Sequence, residues 1–447
     1  MRSRRNQELI FLAFAGAVTG GAYALASLGR NATIPADLLP FFGVVMGLLV
    51  VAHLVLRRLA PQADPTILPV VALLNGLGYV FIVRLANDID DAAALPGQQA
   101  TWTAVGIIAF TFVLIFVPRV KVLDRYRYLA AIAGLGLLVL PSIPGIGRTV
   151  NGARIWVRAG PISFQPGEFA KIALAVFLAS YLAEKRELLR QAKWKLLGLN
   201  LPEPKHLAPV IAAWGASLMV MVFERDLGSS LLIFLLVIVM LWVATARSSY
   251  LLTGAVLFLG GGWAASTQFA HVRDRLDIWL RPFDDPDGVG FQPVEASFAL
   301  ANGGLIGTGP GRGEPFRIPE VETDFIFAAI GEELGLIGSV GILIAFLILV
   351  TSGLRIAIGT RDDFGKLLAT SLAALIGIQA FIIIGGVIRI VPLTGITLPF
   401  VSYGGSSLVA NYVLVALLLR ISHDGAIRPD FGEGAALNEE AEAVASS

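Results

Sequence analysis

The chain has 447 residues, 56% of them hydrophobic and 15% charged, with a mean hydropathy of +0.75 and a net charge of +1. Soluble domains carry roughly 25% charged residues, so this balance is that of a membrane protein, and no basic tract interleaved with aromatics marks a nucleic-acid partner. The absence of cysteine excludes disulfides, thiolate zinc sites and cysteine nucleophiles, and four scattered histidines (His53, His206, His271, His423) argue against a histidine-built metal centre.

A basic N-terminus, residues 1–8, leads into an apolar run at 9–28. About 20 residues span a bilayer, and no small-residue cleavage site follows, so the run is read as a retained span and not as a signal peptide. Further apolar stretches at 38–56, 67–83, 101–117, 128–144, 169–183, 208–223, 229–246, 250–267, 325–350, 367–388 and 406–421 bring the expected total to about twelve. Shorter alternating segments, as in a membrane β-barrel, are absent. The predicted fold class is therefore all-α: a polytopic membrane helical bundle.

Charge sets the expected orientation. With a cytoplasmic N-terminus, the termini and even-numbered loops carry about 21 basic residues against about 12 in the other loops, the direction of the positive-inside rule. Two outward loops run against it. Residues 145–167 hold Arg148, Arg154 and Arg158, and residues 271–323 hold Arg273, Arg275, Arg281, Arg312 and Arg317. Either these arginines pair with nearby aspartates or they meet an anionic ligand, and for the long loop as a whole a ligand is favoured. At well over roughly 15 residues it is too long for a passive connector. Beyond Gly432 the Ala- and Glu-rich tail is expected to be disordered.

Ionisable residues at membrane depth are functional candidates, because burying charge there is costly. Glu168 and Lys171, at i and i+3 behind Pro166, share one helix face and can pair; the pair either orients the helix entrance or lines a substrate cavity. Asp324 precedes an apolar run, where an aspartate serves as an N-cap or, bordered by Phe325 and Phe327, as a general base with a raised pKa. Glu332 and Glu333 are read as structural, and Glu224-Arg225-Asp226 as a local charge network. The Gly-rich run 302–311 lacks the ending of a nucleotide P-loop but offers backbone N–H groups to a pyrophosphate. The small-residue turn 399–407, containing Ser402, allows close approach.

Several motifs together resemble the SEDS family (shape, elongation, division and sporulation proteins): Asn151-Gly152-Ala153-Arg154-Ile155-Trp156, Phe164–Lys171, Glu224–Gly228, Gly290-Phe291-Gln292, Pro319–Phe327, Gly331–Gly335 and Leu398–Ser406. They occur in the family's order between about residues 67 and 421. The resemblance implies a peptidoglycan glycosyltransferase on the outer face of the plasma membrane. Lipid II attacks a glycan on undecaprenyl pyrophosphate, and a class B penicillin-binding protein crosslinks the product. It makes Asp324 the catalytic residue and Glu168 and Lys171 cavity residues. Arg154, with Trp156 in the same motif, would meet the leaving diphosphate first, with Arg148 and Arg317 behind it, and Gln292 and Ser402 would complete the substrate site. No cofactor is assigned; a divalent cation (Mg2+ or Mn2+) could assist at the pyrophosphate.

Within the family, the short tail and the run Glu224–Ser230 point to the elongation branch more than the division branch. Three departures stand out: Glu322 where His or Asn is usual two residues before the aspartate, Gly167 where Ser is common, and about two additional N-terminal spans. The expected organisation is a two-helix extension at 1–62, a core of about ten helices at 63–425 with a large extracellular loop at 268–324, and a cytoplasmic tail at 426–447. A lipid II flippase and a non-catalytic scaffold for the transpeptidase are the competing readings; neither needs Asp324.

Overall fold

The computed structural model describes residues 2–32, 38–89, 92–150, 152–160, 162–190, 194–196, 199–201 and 204–427. The tail expected to be disordered lies, beyond Ile427, outside the described residues. All twelve expected apolar stretches are helical. In chain order the helices are α1 (Arg2–Asn31), α2 (Leu38–Leu59), α3 (Ile67–Ala86), α4 (Leu95–Phe116), the single turn α5 (Lys121–Asp124), α6 (Arg127–Val139), α7 (Pro166–Arg190) and α8 (Pro204–Phe223). They continue with α9 (Leu227–Thr245), α10 (Ser249–Gln268), α11 (Ala270–Leu280), α12 (Phe291–Gly303), α13 (Ile326–Gly359), α14 (Asp363–Val387) and α15 (Gly405–Ile427). Among the described residues, ten are long and apolar enough to cross a membrane. The expected span at 128–144 is shorter than read, because α6 has 13 residues before one 3-10 turn at Leu140–Ser142.

Local chemistry sets the helix ends. Asp226 caps α9 by accepting from Ser229 N at 2.9 Å, and Asp362 caps α14 by accepting from Gly365 N at 2.8 Å. The core gathers on α7, α14 and α15, of whose most apolar stretches 78%, 78% and 83% of residues are buried, against 11% for α10 at the rim. α15 packs on α4, α13 on α14, α6 on α7, and α1 on α3.

Two features depart from an all-helical reading of the loops. Residues 147–164 form a three-stranded antiparallel sheet, β1 (Gly147–Val150), β2 (Ala153–Ala159) and β3 (Ile162–Phe164), with Arg148 opposite Trp156 and Val157 opposite Phe164. A small hairpin, β4 (Trp194–Leu196) with β5 (Leu199–Leu201), follows α7. The second departure is a break in α13. Gly335 has φ 65° and ψ −164°, a conformation open essentially only to glycine. The half-helix 326–334 is therefore separate from the long remainder of α13.

The Gly-rich segment after α12 fills that break. Thr308 N donates to Glu332 O at 2.9 Å and Gly309 N to Glu333 O at 3.1 Å, while Leu336 N and Ile337 N donate to Gly304 O and Leu305 O at 3.0 and 3.2 Å. Backbone groups freed by a broken helix must be paired again away from water, and this segment pairs them.

Candidate active site

At one end of the bundle, the starts of α4, α7, α12 and α15, the sheet, α11 and the connections 225–226, 319–324 and 394–404 line a cavity of about 1260 Å³. Of the residues expected to bind or react, Asp324, Glu168, Trp156 and Gln292 line it.

Glu168 and Lys171 form the ion pair that their spacing predicts, Nζ to carboxylate 2.8 Å, with each side chain 5% exposed. Lys171 also donates to Gln379 Oε1 of α14 at 3.1 Å, and Gln379 Nε2 donates to the Thr397 carbonyl at 2.8 Å. Pro166 starts α7 immediately below the cavity, and Gln165 N is held by Ser406 Oγ at 2.9 Å. The pair thus joins two helices under one wall of the cavity.

Asp324 lies just ahead of α13, but it is not an N-cap: no side-chain cap bond is made at that end. Its Oδ1 accepts instead from Thr323 Oγ1 at 3.1 Å, and the loop is tied to the α14–α15 connection by Tyr403 N donating to Glu322 O at 2.8 Å. Burial pushes the Asp324 carboxyl up to about 6, and Glu320 adds to the rise against hydrogen bonding and the Arg275 charge. Glu322, the departure two residues before the aspartate, is not among the groups that shift it. Burial raises Glu322 too, and its Oε2 has no hydrogen-bond partner.

The cations at the cavity are not those favoured from sequence. Arg275, on α11, lines it, donating to Leu393 O at 2.8 Å. Its Nη atoms and Asp324 Oδ2 all lie within 3.8–3.9 Å of the point where a side chain on Gly395 would begin. Arg225 also lines the cavity from a left-handed backbone, φ 63°. Such a conformation costs a non-glycine residue roughly 1–2 kcal/mol and survives only where surroundings enforce it. Here Asp226 caps the next helix, and Arg154 N donates to Glu224 O at 3.1 Å.

Arg154 itself is turned elsewhere: its guanidinium donates to Pro141 O at 3.0 Å and Ile143 O at 3.3 Å, stapling β2 to the end of α6. Arg148 is exposed on the sheet, and Arg317 pairs with Glu314 at 2.5 Å; neither lines the cavity. Ser402 is buried, its Oγ accepting from Leu398 N at 2.8 Å, and it shapes the turn instead of facing the cavity. In the Gly-rich run, Thr308 N, Gly309 N and Gly311 N are spent on α13, the last on Glu333 Oε2 at 2.8 Å, and none of its residues lines the cavity.

Sequence reading missed three residues of the cavity wall. Trp102, Gln98 and Tyr403 line it, and the Tyr403 hydroxyl bonds to Gln98 Oε1. The signal for them was weak: three polar or aromatic residues on two segments 300 positions apart. Among the described residues no three His, Cys, Asp or Glu side chains converge to hold a metal.

The arrangement offers a half-buried carboxyl able to take a proton near neutral pH, Arg275 beside it, and Arg225 with neutral polar and aromatic side chains elsewhere on the same cavity wall. A family model described as "Cell cycle protein", covering FtsW, RodA and SpoVE, matches residues 65–426. The peptidoglycan glycosyltransferase RodA of Mycobacterium tuberculosis is 48% identical over 432 residues, 96% of this chain and 92% of that protein. Stage V sporulation protein E of Bacillus subtilis is 33% identical over 376 residues, 82% and 98% of the two chains. A chain in a structure described as "Structural coordination of polymerization and crosslinking by a peptidoglycan synthase complex" superposes with TM-score 0.67 at 27% identity, covering 82% of this chain and 99% of that one. The RodA rod shape determining protein of Thermus thermophilus superposes with TM-score 0.58 at 25% identity, covering 82% and 98%. With the family match spanning most of its length, this chain is a member of the FtsW/RodA/SpoVE family of multi-pass membrane proteins.

Proposed function

We propose that the protein is a peptidoglycan glycosyltransferase that polymerises lipid II on the outer face of the plasma membrane, serving cell elongation and rod shape. The termini would be cytoplasmic and the cavity would face outward, a reading supported by the distribution of basic residues. The observation that carries this reading is a carboxyl pushed up to about 6, Asp324, beside Arg275 in a cavity of about 1260 Å³ at one end of the bundle.

In the reaction, Asp324 takes the proton from the attacking sugar hydroxyl of lipid II as that oxygen bonds to the anomeric carbon of the growing glycan. The bond from that carbon to the diphosphate breaks, and undecaprenyl pyrophosphate leaves with the electron pair. A base operates best with a pKa near the working pH, which burial supplies. Arg275 and Arg225 receive the diphosphate charge through charge-assisted hydrogen bonds. One carboxyl acting alone suits direct displacement with inversion. Glu168 and Lys171, with Gln379, fix the wall against which the substrate lies. Were a Mg2+ or Mn2+ ion to bind with the diphosphate, Asp324 would be the carboxylate available to hold it, and the ion would help neutralise the charge of the leaving group.

The domain reading places α1 and α2 ahead of a catalytic core that begins near residue 63, and assigns a class B penicillin-binding protein as partner. A gel assay of glycan polymer made from purified lipid II, with and without such a partner, tests the function. Polymer from the wild type and none from folded Asp324→Ala is expected. Lipid II movement across vesicles with no polymer would identify a flippase.

A further inference from the structure

α1 precedes the family match, and both its ends are fixed by charge. At one end Arg5 and Glu8 pair at 2.5 Å with side chains 2% and 0% exposed, Glu8 meets His53 Nδ1 of α2 at 2.6 Å, and Arg5 donates to the Ala63 carbonyl. At the other end Arg30 donates to Asn87 O at 3.1 Å and pairs with Asp88, which Arg84 of α3 also engages. Burial alone would raise the Asp88 carboxyl, but hydrogen bonds from Arg30 and Arg84 hold it below its usual range. A helix pinned by buried charge in a membrane has little freedom to slide or rotate.

From Arg84 the chain of contacts continues. Its Nε lies 3.0 Å from Glu333 Oε1, and its Nη2 donates to Gly313 O at 2.8 Å. Glu333 closes the half-helix 326–334, whose first turn follows Asp324. Because the break at Gly335 uncouples this half-helix from the rest of α13, its orientation depends on what grips its far end. That grip is the segment 303–313, and α1 presses directly on it: a Cβ on Gly29 would strike the Pro310 carbonyl oxygen.

We propose that α1 is a positioning helix for Asp324, clamping residues 309–313 into the break of α13 and so fixing the half-helix that carries the reacting carboxyl. The proposal rests on the assignment of Asp324 as base. Displacement of a reacting group by about 1 Å costs on the order of 10²-fold in rate, so loosening the clamp should lower turnover more than substrate affinity.

A matched pair within α1 tests this. Gly29→Ala puts a methyl into the Pro310 carbonyl, whereas Gly21→Ala meets nothing within 4 Å; any gain in helix propensity is common to both. Amide exchange of residues 304–311 and steady-state polymerisation of lipid II are measured on the full-length protein. Gly29→Ala should exchange at least about tenfold faster in that segment and show kcat lowered about tenfold with KM within about twofold, while Gly21→Ala matches wild type. Arg30→Ala should act in the same direction and Arg30→Lys should restore part of the loss. If Gly29→Ala does not fold, the Arg30 pair decides by the same readouts. Wild-type exchange in Gly29→Ala and Arg30→Ala, or faster exchange with unchanged kcat, overturns the proposal. Absence of polymer from the wild type would refute the glycosyltransferase reading instead, and the exchange measurement alone would then judge the clamp.

Discussion

Lys171 Nζ lies 2.8 Å from the Glu168 carboxylate and 3.1 Å from Gln379 Oε1, so two helices share one buried ion pair beneath the cavity. Removing one partner of a buried pair strands the other, typically at about 3–5 kcal/mol, whereas replacing both can be nearly neutral. Glu168→Gln and Lys171→Met should each lower the melting temperature in detergent. The double variant should recover much of that loss. Polymerisation should stay low in the double variant, since Glu168 also lines the cavity. Recovery of full activity along with stability would reduce the pair to a structural brace.

The pH dependence of turnover should report Asp324. Its carboxyl, pushed up to about 6, must be ionised to act as base, so kcat should fall as pH drops through about 6. The stability effect has the opposite sense. The folded pKa exceeds the unfolded value of about 3.9, so the folded state binds the extra proton, and this group's contribution is lost as pH rises from about 4 through about 6. Asp324→Asn should therefore melt higher than wild type at pH 7.5 and near the wild-type temperature at pH 4. Its polymerisation rate should fall by about 10²–10⁴-fold. Equal melting temperatures at both pH values would show that the carboxyl is not held in the raised state.

Much of this was legible in the chain. Hydrophobic run length located the long apolar helices, because a membrane leaves backbone polar groups few other ways to be satisfied, but not α11 and α12 in the long loop. Spacing allowed the Glu168–Lys171 pair. The place of Asp324 at the head of an apolar run left N-cap and base both open, and its catalytic role was implied only by the family resemblance. The arginines did not follow. Arg154 and Arg275 both stand among several arginines in loops expected to face outward, and nothing local separates them. What does is a tertiary partner for each, the Pro141 carbonyl for one and the Leu393 carbonyl for the other. The break in α13 was hidden for a similar reason. Gly335 reads as one more glycine in an apolar helix, and its left-handed conformation exists because a segment 30 residues upstream fills the gap.

That difference between the arginines can be measured. Arg275→Ala and Arg225→Ala should each raise KM for lipid II or lower kcat by at least about tenfold, in line with the roughly 1.5–3 kcal/mol of a charge-assisted hydrogen bond. Arg275→Ala should in addition move the acid limb of the kcat profile upward, because the Arg275 charge opposes the rise of the Asp324 carboxyl. Arg154→Ala should instead lower the melting temperature, through loss of the staple between β2 and α6. Arg148→Ala, exposed on the sheet, should leave both unchanged. A KM effect at Arg148 equal to that at Arg275 would place the diphosphate on the sheet and not at α11.

Gly335 provides the sharpest structural prediction, since two independent constraints meet there. Its φ of 65° with ψ of −164° is closed to residues bearing a Cβ, and a Cβ built at that position would strike the backbone nitrogen of Gly307. Gly335→Ala must therefore either straighten α13 or expel the segment 304–311, and both outcomes unpair the bonds from Leu336 N and Ile337 N to Gly304 O and Leu305 O. Unsatisfied backbone groups at membrane depth cost several kcal/mol each, so the variant should express poorly and melt well below wild type. Gly341→Ala, six residues further along the same helix with nothing within 4 Å of its Cβ, should be neutral or slightly stabilising. Melting curves and size-exclusion profiles of the two variants in one detergent decide it: equal behaviour would mean that α13 runs unbroken through Gly335.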